Sequence, residues 1–137
     1  MSNWTHFVGA IRVRDVEIEK ISSIAKLFRT CEFGDSEDKW KRCNVPRGSE
    51  GSLKVQIINS SGKYGLVGED EFCISIYGSL RNYSKSNEKS TIGWWFRTID
   101  KIKRIASLYV NGVLVIRYDS SHFENLILTD KNIIRKD

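Results

Sequence analysis

The segment Glu71 to Tyr83, EFCISIYGSLRNY, constrains the fold most. Phe72, Ile74 and Ile76 alternate with Cys73, Ser75 and Tyr77. Period-two alternation is a strand with two unlike faces, one suited to a core and one not. Gly78 then predicts a break in the strand. Ser79, Arg81, Asn82 and Tyr83 follow as a hydrogen-bonding turn. A strand with one apolar face needs a sheet around it and a second layer to cover that face.

The rest of the chain supplies both. Trp4 to Arg14 reads as a first strand, with Thr5, Phe7, Gly9, Ile11 and Val13 on one face and Trp4, His6, Val8, Ala10, Arg12 and Arg14 on the other. Asp15 fits a helix N-cap, followed by Glu17 and Glu19 in the first turn. Ile18, Ile21, Ile24, Ala25 and Phe28 then recur at helical spacing, which predicts an amphipathic helix from Val16 to about Thr30. Cys31 to Gly51 is polar and irregular; a connection this long is either functional or hides a short helix. Leu53 to Asn59 predicts a second strand, and the Asn59–Gly65 stretch a loop. Ile92, Trp95, Phe96, Ile99, Ile102 and Ala106 form the stripe of a second helix, capped by Ser90 or Thr91. Trp94 falls off that stripe, which predicts exposure. Asn111-Gly112 between apolar runs, Leu108–Val110 and Val113–Tyr118, predicts a tight two-residue hairpin. Leu126–Leu128 and Ile133–Ile134 predict an edge strand or a lid on the core.

The order strand, helix, strand, strand, helix, strand predicts one α+β domain over residues 1–137. Its expected form is a ferredoxin-like βαββαβ sandwich, an antiparallel sheet with two helices on one face and an added C-terminal hairpin strand. Phe7, Ile11, Ile21, Phe28, Val55, Ile57, Phe72, Ile74, Ile76, Trp95, Phe96, Ile99 and Leu108 are the expected core. With 137 residues, 40% of them hydrophobic and 28% charged, the chain has the composition of a globular domain. Its apolar runs are too short to cross a bilayer, and its first residues lack the apolar core of a signal peptide. Three cysteines, Cys31, Cys43 and Cys73, make an odd set with no C-x-x-C pair, and His6 and His122 lie far apart. Neither a metal site nor another cofactor is expected from such spacing; reduced thiols in a cytoplasm are. The formal net charge of +5 favours anionic partners in general.

In the expected topology the second and third strands pair antiparallel, and the third also runs antiparallel to the first. Four remote segments then meet at one corner: Trp4 and His6; Gly48 to Ser52, with Gly48, Ser49 and Gly51 the binding candidates; Tyr77 and Ser79; Arg81 and Tyr83. Glycine and serine N–H groups form concave anion nests, arginine grips a phosphate or carboxylate with two parallel bonds, and Trp4 and Tyr83 offer stacking faces. These residues point to a site for an anionic, nucleotide-like small molecule or an acidic partner segment. A purely structural reading of the same residues has the glycines serving turns, Arg81 paired with Glu50 and Trp4 capping the core. No P-loop or dinucleotide fingerprint occurs.

Several of these stretches carry a resemblance: Trp4-Thr5-His6 with Ile11-Arg12-Val13, Gly48-Ser49-Glu50-Gly51-Ser52-Leu53, Ile76 to Tyr83, and Trp95-Phe96. In them the chain resembles a group of small bacteriophage and prophage proteins. The resemblance implies a phage origin and action in the host-cell cytoplasm. By analogy with other small phage proteins, it implies a counter-defence factor that blocks a host defence protein or sequesters a nucleotide signal. It brings no catalytic residues, and Asn82 stands where such relatives would carry an acidic one.

The expected function is therefore non-enzymatic binding of a nucleotide-like ligand or a host protein, with self-association through the open sheet face or the final hairpin. The alternative is an RNA- or DNA-binding module using that face, although of Cys73, Ser75 and Tyr77, which the third strand presents there, only Tyr77 is aromatic. An enzyme with His6 as general base lacks a nucleophile or acidic partner at motif spacing.

Overall fold

The computed structural model describes residues 4–59, 71–83, 85–106, 109–119 and 125–136. Among these, Trp4–Arg14 is strand β1, Ile21–Ala25 helix α1 and Glu37–Arg42 helix α2. A small hairpin follows, β2 (Arg47–Gly48) and β3 (Gly51–Ser52), then β4 (Lys54–Asn59) and β5 (Glu71–Arg81). Helix α3 is Glu88–Ile105, and the chain ends in β6 (Val110–Tyr118), β7 (Asn125–Thr129) and β8 (Ile133–Lys136). The protein is α+β: a six-stranded sheet in the order β4-β5-β1-β6-β7-β8, each neighbouring pair antiparallel, covered by helix on one face.

Register explains the two faces. Phe7 lies opposite Gly78 and Ile116, Ile11 opposite Ile74 and Gly112, and Val13 opposite Phe72 and Val110. These rows, with Ile76, Leu80, Leu114, Leu126 and Leu128, are buried and form one core with Ile24, Phe28, Trp95, Ile99 and Ile102. α1 and α3 thus share a face, and Phe28 meets Trp94 edge-on with ring centroids 6.4 Å apart. The opposite face carries the complementary rows and, among the described residues, no helix. α2 buries none of its residues. It exists because Ser36 caps it, its hydroxyl accepting from the Lys39 N–H at 3.2 Å, and because Glu37–Lys41 and Asp38–Arg42 pair one turn apart.

Several local expectations are corrected. Asn111 and Gly112 are not a hairpin turn; both lie inside β6, and the added edge strands are β7 and β8. Gly112 is there for close approach, since a Cβ would stand 2.9 Å from Trp95 Cζ2 and 3.1 Å from Ile99 Cδ1. Gly78 does not end its strand, for β5 continues paired to Arg81, with Gly78 at φ +148° where a side chain would be strained. The first helix is one short turn and α1 rather than Val16 to Thr30. Asp15 sits at φ +56° and caps nothing; Lys20 precedes α1 without a side-chain cap. Asn87, not Ser90 or Thr91, precedes α3. Trp94 is buried, at 9% exposure, because Phe28 covers it. Of the expected core, Ile21, Val55, Ile57 and Phe96 are only partly buried. Leu108, the loop beyond Asn59 and His122 lie outside the described residues.

Candidate functional site

At the β4–β5 edge the uncovered sheet face runs against two loop segments, 30–33 and 50–53. Between them lies an open cleft of about 600 Å³. Its walls include three aromatic rings, Trp4, Phe33 and Tyr77, and four charged residues, Lys54 and Arg81 with Glu32 and Glu50. Phe33 is 81% exposed. Burial does not hold it in place; the turn does. Asp35 accepts from the Glu32 N–H at 2.7 Å, the Asp35 N–H returns to the Glu32 carbonyl at 3.1 Å, and Gly34 supplies φ +92°. The second segment is clamped to the first. Ser52 N–H donates to the Cys31 carbonyl at 2.9 Å, and Cys31 N–H to Ser52 Oγ at 3.0 Å. Gly51, at φ +137°, leaves room there, since a Cβ would stand 3.0 Å from that carbonyl.

The predicted corner forms, with its parts in altered roles. Trp4 lies opposite Arg81, and His6 opposite Ser79. Gly48 is packed on β5 so closely that a Cβ would lie 2.4 Å from the Arg81 carbonyl oxygen. Ser49 N–H donates to that same oxygen at 2.9 Å, and the Asn82 amide donates to Ser49 Oγ at 3.2 Å. The N–H groups of Ser49 and Ser52 thus point at protein carbonyls and clamp the Gly48–Ser52 turn to its neighbours, so these two are already engaged within the protein. Arg81 pairs with Glu50 at 2.6 Å, both side chains about two-fifths exposed, which is the pairing the structural reading anticipates. The guanidinium charge is met within the protein but stays in reach of solvent. Tyr83 is not at the corner's surface. It is 3% exposed, its ring meets Phe7 edge-on at 5.1 Å, and its hydroxyl lies 2.5 Å from Thr91 Oγ1. Burial pushes its phenol up to about 12.

Sequence reasoning did not select Phe33 or Lys54, and placed Tyr77 at the corner without a role. The available signal for Phe33 was a lone aromatic between an acidic residue and glycine in a polar loop. Lys54 faces the cleft because it sits opposite Tyr77 in the sheet register. It is exposed, and among the described residues nothing pairs with it.

One constellation suggests catalysis at first sight. His6 Nδ1 lies 2.7 Å from Ser79 Oγ, and His6 Nε2 lies 4.0 Å from Asp119. The second distance is too long for the hydrogen bond that orients a catalytic imidazole. All three groups are also exposed on an open sheet, where water competes with any developing charge. Cys31 is no better a nucleophile, since burial and then the neighbouring Cys43 thiol push it up to about 11. Among the described residues no group of three or more His, Cys, Asp or Glu converges to hold a metal, and no helix is long and apolar enough to cross a membrane. The cleft brings together three ring faces, the exposed Lys54, the Glu32 side chain and the half-exposed Arg81–Glu50 ion pair. Comparison of the chain with protein-family models, curated proteins and solved structures finds no match.

Proposed function

We propose that this chain is a non-enzymatic binding protein whose cleft takes a planar, anionic ligand of the nucleotide class. The observation that carries the proposal is the convergence of Trp4, Phe33 and Tyr77 on one open cleft beside Lys54. A ring held out at 81% exposure by a tight turn gains little for the fold and much for stacking. Lys54 supplies the phosphate or carboxylate contact, and Arg81 joins it by sharing its charge with Glu50.

The same reading includes the finer fold assignment, ferredoxin-like βαββαβ. The order β4-β5-β1-β6 supports it, because β5 lies between β1 and β4 and runs antiparallel to both. In the phage setting that the resemblance implies, the ligand is a host nucleotide signal. The protein is then a counter-defence factor acting in the host cytoplasm. A host protein as the target is the second reading, favoured by Phe33 alone, which has the exposure of an interface anchor.

Calorimetric titration with AMP and UMP, beside adenosine and uridine, tests the proposal. Nucleotides should bind more tightly than nucleosides, and Lys54→Ala should erase that difference. Losing a base–aromatic stack costs about 1–3 kcal/mol, so Phe33→Ala should weaken nucleotide binding about 5- to 150-fold. The proposal fails if no nucleotide binds, or if Phe33→Ala leaves the affinity unchanged.

A further inference from the structure

A second groove runs along α3, which packs on the covered face of the sheet, away from the cleft. Two cavities, of about 340 and 190 Å³, lie between α3 and the segment around Asn44 to Arg47. They share Asn44, Trp94 and Arg97 and form one continuous groove. Along α3 it extends from Ser90 to Lys101, about 16 Å of helix. Its charge is one-sided. Arg47, Arg97 and Lys101 line it; among the described residues no carboxylate does, and none of the three has an ion-pair partner. Both carboxylates of α3 are taken, Glu88 by Arg135 and Asp100 by Arg104 at 3.4 Å. The helix dipole accounts for Lys103 and Arg104 in the last turn but not for Arg97, well before it.

Two of these cations are held in place. Arg97 lies back along the helix over Gly93, where a Cβ would stand 2.8 Å from Nη1, so glycine leaves the room it needs. Arg47 donates from Nη1 to the Trp40 carbonyl and lies over the Trp40 ring, 5.6 Å from its centroid, contacts that fix it without a carboxylate. The groove also contains an unused donor. Trp94 borders both cavities at 9% exposure, and among the described residues its buried indole N–H has no hydrogen-bond partner. A buried donor left unmet is costly, which favours an occupant that brings an acceptor. We propose that this groove binds an acidic stretch of polypeptide, with carboxylates on Arg97 and Lys101 and one oxygen accepting from the Trp94 indole N–H. The proposal is independent of the nucleotide reading of the cleft. The spread of the cations selects a chain over a single ion. Alternate side chains of an extended polypeptide stand about 7 Å apart, near the separation of about 6 Å between residues one helical turn apart, as Arg97 and Lys101 are. Single-stranded nucleic acid needs open ring faces for its bases, and the one aromatic ring of this groove, Trp94, is buried.

Fluorescence anisotropy with end-labelled octaglutamate, and with octa-uridylate as the rival polyanion, tests this. Octaglutamate should bind saturably, and the Arg97→Gln/Lys101→Gln double variant should weaken it about ten-fold or more. Both side chains are exposed, so the variant should fold as the wild type does. The control is Lys131→Gln/Lys136→Gln, which removes the same charge from exposed positions outside the groove and should change affinity by no more than about two-fold. In ¹H–¹⁵N spectra the Trp94 indole proton should move downfield as octaglutamate is added, as a newly made hydrogen bond requires. Absence of saturable binding, equal losses in the two double variants, or an unmoved Trp94 indole signal overturns the proposal. Octa-uridylate that binds as tightly, with the same loss in Arg97→Gln/Lys101→Gln, makes the occupant a nucleic acid and overturns it as well. None of these outcomes bears on the cleft, which titration with AMP reads separately.

Discussion

Replacing Gly112 by alanine sets a methyl group into the contact between β6 and α3. The new carbon would stand 2.9 Å from Trp95 Cζ2 and 3.1 Å from both Trp95 Cη2 and Ile99 Cδ1. Trp95 cannot retreat easily, because it is fully buried and its indole N–H donates to the Thr129 carbonyl at 2.9 Å. Overpacking of this kind costs about 1–3 kcal/mol, while the lost freedom of glycine in the unfolded chain returns about 0.4–1 kcal/mol. A net loss of about 1–2 kcal/mol follows, or about 3–7 °C in melting temperature for a chain of this size. Urea unfolding followed by tryptophan fluorescence measures it. Ile99→Val removes one of the crowded atoms, so it should cost less in the Gly112→Ala background than alone, a coupling a double-mutant cycle resolves. Asn111→Ala is the control. In a hairpin turn Asn111 would need positive φ and the change would hurt; in β6 it is an exposed strand position, worth less than about 0.5 kcal/mol. A neutral Gly112→Ala, or an Asn111→Ala as costly as it, would refute the seating of α3 described above.

The buried end of α3 makes two more predictions. Glu88 is 5% exposed, accepts from the Tyr118 hydroxyl at 2.6 Å and pairs with Arg135 of β8. Glu88→Ala should destabilise by about 1–3 kcal/mol, with Glu88→Gln milder because it still accepts from Tyr118; equal urea midpoints for wild type and Glu88→Ala would contradict this. Tyr83 should be among the last tyrosines to ionise. Its pKa is raised from 10 to about 12, chiefly by burial, so the stability it contributes is intact below pH 10 and lost as pH rises towards 12. Absorbance titration at alkaline pH, wild type against Tyr83→Phe, reads this directly, and a Tyr83 step near pH 10 would be inconsistent with its burial.

Patterns that depend on many residues were legible in the sequence. β1 runs over the expected Trp4–Arg14, and its two faces alternate as Phe7, Ile11 and Val13 against Trp4, His6 and Val8 require. The stripe Trp95, Ile99, Ile102 does place α3 on the sheet. The strand pairing that brings Gly48–Ser52 against Arg81 followed from topology alone. Single-residue signals fared worse, because a glycine has several uses. Gly112 and Gly78 read as a turn and a break, yet each sits inside a strand, Gly112 where α3 comes close and Gly78 where the backbone takes φ +148°. Tyr83 read as a stacking face in the turn after its strand, and Trp94 as exposed because it falls off its helical stripe. Phe7 and Phe28, both distant in sequence, cover them. The site divided in the same way. That the segments of the corner lie together was legible and their contacts were not, since whether Arg81 meets Glu50, and whether Phe33 points out of its loop, depends on contacts that no local pattern records.

The central claim is that the Trp4–Phe33–Tyr77 cleft binds a nucleotide. Amide chemical-shift mapping of the ¹⁵N-labelled protein during titration with AMP tests it most directly. Saturable shifts should cluster at Glu32–Phe33, Gly51–Lys54 and Tyr77–Ser79, the segments that wall the cleft. Shifts that are absent, or that gather instead around Arg97 and Lys101 of α3, on the covered side of the sheet, would contradict it.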